Sequence, residues 1–391
     1  MSVGLHGALD REVVVCVGSG GVGKTTVSAA LALKAAAEGK KVLVCTIDPA
    51  RRLANSMGLA SLTNTETRVP DEALAKIGAP VKGELYAMML DLKRSWDEVI
   101  ERYAPTPERR DAILKNRFYL QFSTALAGSH EYVAMEKLHA LHARGGYDLI
   151  VLDTPPTSNA LDFLDAPDRI IDFLGSDAAR WFAGGAANAS RVGLKVLQAG
   201  SAYAARILAK FTGTGTLEEL ARFMGALSGM YEGFKERAAE VKALLASDCA
   251  AFVVVTSPSP LPMDEALHFH QQLSKAQMRT AAVVANRVSV DFLRGKPLDR
   301  EALAEHAREV AAPGVPGLGP LGERLAETLA DAQVLAELDA GQLERLRKAL
   351  SPTPLIAVPR FDHDVHDLSG LWEVDTVLFG SGKAEQDPKT R

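Results

Sequence analysis

Between an apolar run, Val13–Val17, and an Ala- and Leu-rich run, Val27–Ala37, stands the segment Gly18-Ser19-Gly20-Gly21-Val22-Gly23-Lys24-Thr25-Thr26. Its glycines permit positive-φ backbone, so successive N–H groups turn toward one point and form an anion nest. The run before it reads as a strand. The run after it reads as a helix, whose N-terminus adds partial positive charge at the same point. Over 18–25 the spacing is G-x-x-x-x-G-K-[ST], in the strand–loop–helix context that gives this pattern its meaning. Gly18, Ser19, Gly20, Gly21, Val22, Gly23, Lys24, Thr25 and Thr26 are therefore the candidate ligands of nucleotide phosphates. Lys24 is expected at the β- and γ-phosphates, and the Thr25 hydroxyl on Mg²⁺.

Six more runs rich in Val, Ile and Leu follow: Lys41–Ile47, Leu85–Leu90, Leu149–Asp153, Ala251–Thr256, Ala281–Ala285 and Leu355–Val358. They are continuously apolar rather than alternating, as strands covered by helices on both faces are. Helical patterns separate them, which predicts an α/β fold with a doubly wound, mostly parallel sheet and ligands at the strands' carboxyl ends. This P-loop core is assigned to residues 1–90, 147–164 and 249–391, with a small helical insertion at about 298–350 and a disordered tail from about Ser381. Residues 91–146, opened by Asp91 as an N-cap, and 165–248 read as an inserted helical subdomain. Gly184–Gly185 and Gly213–Gly215 punctuate it. One apolar stripe there is Val192, Val196, Tyr203, Ile207 and Phe211; another is Leu217, Leu220, Phe223, Met224, Leu227, Met230, Tyr231 and Phe234. Such stripes either pack on their own core or, given their Met and aromatic content, form an exposed groove for an apolar client.

Two carboxylates fall where nucleotide hydrolysis needs them. Tyr147–Asp153 is a strand ending in Asp153, the arrangement that holds Mg²⁺ through water. Asp48, in Asp48-Pro49-Ala50-Arg51-Arg52-Leu53, follows another strand and is placed to orient or deprotonate the attacking water; N-capping the next helix is its alternative use. The 391 residues carry a net charge of −5, with no basic field to collect nucleic acid. Cys16, Cys45 and Cys249 are far apart and form no C-x-x-C pair, as expected of a chain in a reducing cytoplasm. No signal-peptide pattern opens the sequence, and no stretch has the length of apolar residues needed to cross a membrane.

These motifs together resemble the deviant-Walker ATPases, the family that includes the arsenite-efflux ATPase and the eukaryotic tail-anchored-protein targeting ATPase. Gly20–Thr26 matches its phosphate loop, and Asp48-Pro49-Ala50 its first switch, whose Asp helps position the hydrolytic water. The stretch from Asp153 to Leu161 resembles its second switch, with Asn159 where the family usually has His. Ala285-Asn286-Arg287 fits its adenine-contacting Asn, and Val358-Pro359-Arg360 its second adenine-side loop. An Asn amide pairs bidentately with the N6/N7 edge of adenine, which favours ATP over GTP. The family's signature lysine, which crosses a dimer to the partner's phosphates, is expected at position 19, and here Ser19 stands there. The zinc-clamping and metalloid-binding cysteine patterns of the family's two named branches are absent.

The resemblance implies an ATP- and Mg²⁺-dependent molecular switch in the cytoplasm, a homodimer or a heterodimer with a lysine-bearing relative, that binds an apolar protein client. A nucleotide-dependent positioning or assembly scaffold and the energising subunit of an anion (arsenite) exporter are the alternatives. Three further segments are set aside as structural. The 361–367 stretch, with Asp362, His363, Asp364 and His366, reads as a loop before a helix capped by Asp367. Thr256–Pro262 reads as a rigid loop, and Asp264 and Glu265 as acids at the start of the next helix with no catalytic part.

Overall fold

The computed structural model describes residues 5–47, 52–119, 129–154, 229–295 and 319–380, with isolated positions among 123, 165–172, 219–227 and 299–305. Asp48, the 155–161 stretch, the Val192–Phe211 stripe, both glycine pairs, most of 298–318 and the tail from Ser381 lie outside the described residues.

Eight strands form one sheet: β1 (Val13–Val17), β2 (Lys41–Thr46), β3 (Thr67–Arg68), β4 (Glu84–Met89), β5 (Leu149–Asp153), β6 (Ala250–Thr256), β7 (Thr280–Val288) and β8 (Leu355–Pro359). Their order is β3-β4-β2-β5-β1-β6-β7-β8. Every pairing is parallel except β3–β4, which is antiparallel. The seven apolar runs are thus the seven parallel strands. β3 is the one that the sequence reading missed, because two residues at a sheet edge leave no periodic pattern.

Alternate residues of each strand enter different cores, the period of two that a pleated strand imposes. Val14, Cys16, Val42, Val44, Val151, Val253 and Val284 face one layer with Leu31, Leu33 and Leu371. Val13, Val15, Leu43, Ile150, Phe252 and Val254 face the other with Leu138, Val241 and Phe269. The first layer is built from helices α1 (Lys24–Ala37) and α7 (Leu368–Phe379). The second is built from α3 (Ser129–Arg144), α4 (Tyr231–Ala246), α5 (Pro260–Lys275) and α6 (Gly319–Leu350). With both faces dry, continuous Val and Ile runs are what the sheet requires. Cys16 and Cys45 lie in this core, where burial pushes both thiols up to about 12. Such thiols are poor thiolate donors and act as small apolar side chains.

Helix caps follow the side chains. Asp91 accepts from the Arg94 amide at 2.9 Å and opens α2 (Leu92–Tyr103). Asp367 accepts from the Gly370 amide at 2.8 Å and opens α7. One boundary differs from expectation. Pro260 and Pro262 sit in the first turn of α5 rather than in the preceding loop, since the N–H groups they lack have no intrahelical partner there. Asp264 and Glu265 consequently fall in the second turn.

A third core lies away from the sheet, with Trp96, Tyr132 and Phe234 at its centre. Trp96 stacks on Tyr132 with ring centroids 5.7 Å apart. Phe223, Leu227, Met230 and Phe234, the described buried members of the second apolar stripe, belong to it and are at most 3% exposed. An exposed groove built on these four is therefore ruled out; they are interior packing.

Candidate nucleotide-binding site

β1 ends at Val17, and the chain then passes so close to β6 that a Cβ on Gly18 would lie 2.0 Å from the Val255 carbonyl oxygen. Only glycine fits. The loop closes at Gly23, with φ of 100°, where a Cβ would lie 2.2 Å from Asn286 Nδ2. Both conditions come from the fold around the loop and add to its own conformational demands. Lys24 begins α1 and is 6% exposed. Its Nζ donates to the carbonyls of Gly18 and Ser19, each at 2.8 Å, so the ammonium is held across the mouth of its own loop.

The strand register then assembles the acidic side. Cys16 of β1 and Thr46 of β2 both pair with Asp153 of β5. Asp153, 1% exposed, accepts at one carboxylate oxygen from Thr25 Oγ1 at 2.7 Å and from Thr46 Oγ1 at 2.8 Å. Next to it, Thr154 Oγ1 donates to the Cys16 carbonyl at 2.8 Å. Thr25 and Asp153, which are 128 residues apart in sequence, are thus direct partners. Thr46 was not among the predicted residues; its position at the carboxyl end of β2, two residues before Asp48, was the available signal.

A cavity of about 370 Å³ opens over the amino end of α1. From the predicted set, Gly21, Gly23, Lys24, Thr25 and Thr26 line it. Arg52, Arg287 and His366 line it as well, and none of the three was predicted as a nucleotide ligand. Asn286, Pro359 and Arg360 do not line it. Asn286 Nδ2 donates to the Val22 carbonyl at 2.8 Å, while its Oδ1 accepts from the Arg287 amide at 3.0 Å. Pro359 closes β8 opposite Val288, and the Arg360 amide donates to the Val288 carbonyl at 2.8 Å.

Ser19, where a lysine was expected, donates its hydroxyl to the carboxylate of Glu265. Glu265, read from sequence as a helix-dipole acid, is instead tied to the phosphate loop. Its neighbour Asp264 accepts from Arg345 of α6. Among the described residues no group of three or more His, Cys, Asp or Glu is arranged to hold a metal ion, and this includes the 362–367 turn.

A parallel sheet, a glycine loop between its central strand and a helix, and a strand-end Asp beside the first-turn Thr together define the P-loop nucleotide-binding fold. Residues 11–183 match the family model of the anion-transporting ATPases. The chain is 26% identical over 377 residues to "Putative arsenical pump-driving ATPase 1" of Aquifex aeolicus, covering 94% of this chain and 79% of that protein. It is 31% identical over 168 residues to "ATPase GET3" of Malassezia globosa, covering 42% of this chain and 45% of that one. A third relative, "ATPase BagA" of Mycobacterium tuberculosis, is 24% identical over 385 residues, covering 93% and 92%. Coverage of relatives named as arsenical pump-driving ATPases is uneven: the match spans only 36% of the one from Prosthecochloris vibrioformis.

Proposed function

We propose that this chain hydrolyses ATP with Mg²⁺ and uses the cycle as a conformational switch. One observation carries the reading: Gly21, Gly23, Lys24, Thr25 and Thr26 line one cavity, and the Thr25 hydroxyl at its wall is bonded to the buried carboxylate of Asp153 at the end of β5. The donor set suits a hard cation. A hydroxyl and a carboxylate that already share a hydrogen bond offer oxygen ligands, and phosphate oxygens and water complete such a shell. Thr25 and Asp153 would hold Mg²⁺, which when bound supplies charge neutralisation for the β- and γ-phosphates. Lys24 and the amides of Gly18 to Thr26 bind phosphate, and Asp48 orients the water.

Ser19 cannot supply a cation to a second subunit. We therefore read slow intrinsic hydrolysis in a homodimer, with pairing to a lysine-bearing relative as the arrangement that would accelerate it. The helical segments 91–146 and 165–248 form the part that the switch would move. An apolar protein client, if bound, needs a surface other than the buried stripe; Leu261, Phe292, Leu335 and Leu338 are each more than half exposed and are available for it. Names given to relatives make an anion exporter's energising subunit the second reading. Steady-state hydrolysis by the purified chain, with and without magnesium and with and without arsenite, tests all of this. Magnesium-dependent ATP turnover is the expected result, and stimulation by arsenite would favour the exporter. No turnover of ATP and no binding of it would overturn the proposal.

A further inference from the structure

We propose that Glu265 is a positioning residue of the phosphate loop: through the Ser19 hydroxyl, β6 and α5 together set the carbonyls that hold the Lys24 ammonium. This rests on the nucleotide-binding reading above and gives a part in it to an acid whose sequence position suggested only a helix dipole.

The two carbonyls that receive Lys24 Nζ, each at 2.8 Å, belong to Gly18 and Ser19. One strand–helix unit locates both residues. Gly18 rests on β6, where only the missing Cβ lets its backbone approach the Val255 carbonyl oxygen. Ser19 reaches one step further, to α5, and donates its hydroxyl to the Glu265 carboxylate. Ser19 is therefore held at two atoms, its carbonyl by Lys24 and its hydroxyl by Glu265. A glycine-rich loop has little stiffness of its own, so its place must come from such outside contacts.

Glu265 stands on a fixed support. Ser257, Pro258 and Ser259 are all that separates β6 from α5. Pro258, Pro260 and Pro262 stiffen the junction, because each ring locks its own φ. Met263, Ala266, Phe269 and Leu273 bury the inner face of α5 in the core under the sheet. On the side toward α6, Asp264 accepts from Arg345. Glu265 itself is half-buried and stands outside that core, so replacing it leaves the helix in place. A hydrogen bond to a carboxylate is about twice as strong as a neutral one, and a catalytic group misplaced by about 1 Å loses much of its effect.

The test measures steady-state turnover, and calorimetric binding of ATP and inorganic tripolyphosphate, for the full chain and for Glu265→Gln, Glu265→Ala, Ser19→Ala and the double variant Ser19→Ala with Glu265→Ala. Gln and Ala remove the same charge, but the Gln carbonyl still accepts the Ser19 hydroxyl, so their difference reports the bond. Glu265→Ala should turn over about tenfold more slowly than Glu265→Gln. It should bind ATP and tripolyphosphate more weakly by one common factor, since the loss is at the phosphates. Ser19→Ala should match it, and the double variant should be no worse than either single one, because each removes the same bond. Asp264→Ala, which releases Arg345 and leaves Glu265, should keep the unmutated rate. Lys24 gives a readout free of turnover. Its acetylation by acetic anhydride without nucleotide, followed by mass spectrometry, should be several-fold faster in Glu265→Ala and Ser19→Ala than in Glu265→Gln or the unmutated chain. Glu265→Gln as impaired as Glu265→Ala would assign the effect to charge. Losses that add in the double variant would make the two residues independent, and an equal loss in Asp264→Ala would assign the effect to the packing of α5. Any of these, or Lys24 labelling that no variant changes, overturns the proposal. An unmutated chain that binds neither ATP nor tripolyphosphate, while Lys24 labelling still follows the Ser19–Glu265 bond, would overturn the nucleotide reading and leave the positioning role standing.

Discussion

The phosphate end of the cavity and its opposite end are built in different ways. At the phosphate end nine consecutive residues supply the loop, Lys24 is almost fully buried, and Asp153 collects two hydroxyls at 2.7 and 2.8 Å. At the other end the walls come from β7 and from the turn after β8, and Arg287 and His366 are exposed. Buried, charge-assisted contacts tolerate little change, whereas exposed side chains are worth less and are more easily exchanged. The contrast is one of construction: the first end is held by buried charge-assisted contacts, the second by exposed side chains from β7 and the turn after β8.

Several substitutions should break or sharpen this contrast. The largest effect belongs to the phosphate end. Lys24→Ala should lower turnover at least about 10²–10³-fold and weaken ATP, because Lys24 would be lost both from the phosphates and from the loop carbonyls it now spans. On the proposal that Asp48 orients the water, Asp48→Asn should lower turnover by a similar factor and yet leave ATP affinity within a few fold. Single-turnover kinetics beside equilibrium binding separates the two, and unaltered hydrolysis in Asp48→Asn would remove it from the site.

Ser19→Lys comes next. A cation delivered to a partner's γ-phosphate is worth up to roughly 10³–10⁵ in rate. The gain here should be smaller, because Glu265, now the acceptor of the Ser19 hydroxyl, would compete for the new ammonium. Turnover rising with protein concentration in Ser19→Lys is the expected sign. An unmutated chain that is already fast and concentration-dependent, and that Ser19→Lys does not change, would show that this position does not limit the reaction.

Gly23→Ala joins the two ends, since the added Cβ would strike Asn286 at a positive-φ position. It should cost about 1–3 kcal/mol in denaturant unfolding, and a neutral result would mean that the loop relaxes away from Asn286.

The smallest effect concerns α7, which follows the 361–367 turn. Asp375 is 2% exposed, and among the described residues neither carboxylate oxygen has a hydrogen-bond partner. Burial raises its carboxyl well above the usual range, against the opposing pull of Lys34 and with a lesser push from Glu38. The folded state therefore holds a proton that the unfolded chain releases above about pH 4, so stability falls as pH rises from there through the folded value. Asp375→Asn should flatten that slope in urea titrations across pH. An identical slope would place the pH dependence elsewhere.

Legibility follows the same division. The strand–loop–helix over 13–37 and the strand ending at Asp153 were readable because the glycine spacing is local and a strand buried on both faces demands continuous apolar runs. Thr46 and Glu265 were not readable in the same way, since each acts on a partner more than a hundred residues distant. Asn286 was visible as a residue, but what its amide touches depends on where β7 lies against the loop. The two-residue β3 left no period to detect. Phe223, Leu227, Met230 and Phe234 suited either a core or a client surface; only their packing around Trp96 decided it.

By itself, then, the sequence determined the parallel sheet, the phosphate loop and the carboxylate that faces it, because those rest on local periodicity and spacing. Tertiary structure alone decided which polar atoms share Asp153, what holds Ser19 and which side chains flank the far end of the cavity. Those contacts join strands distant in the chain, and their geometry exists only once the sheet has set its order and register.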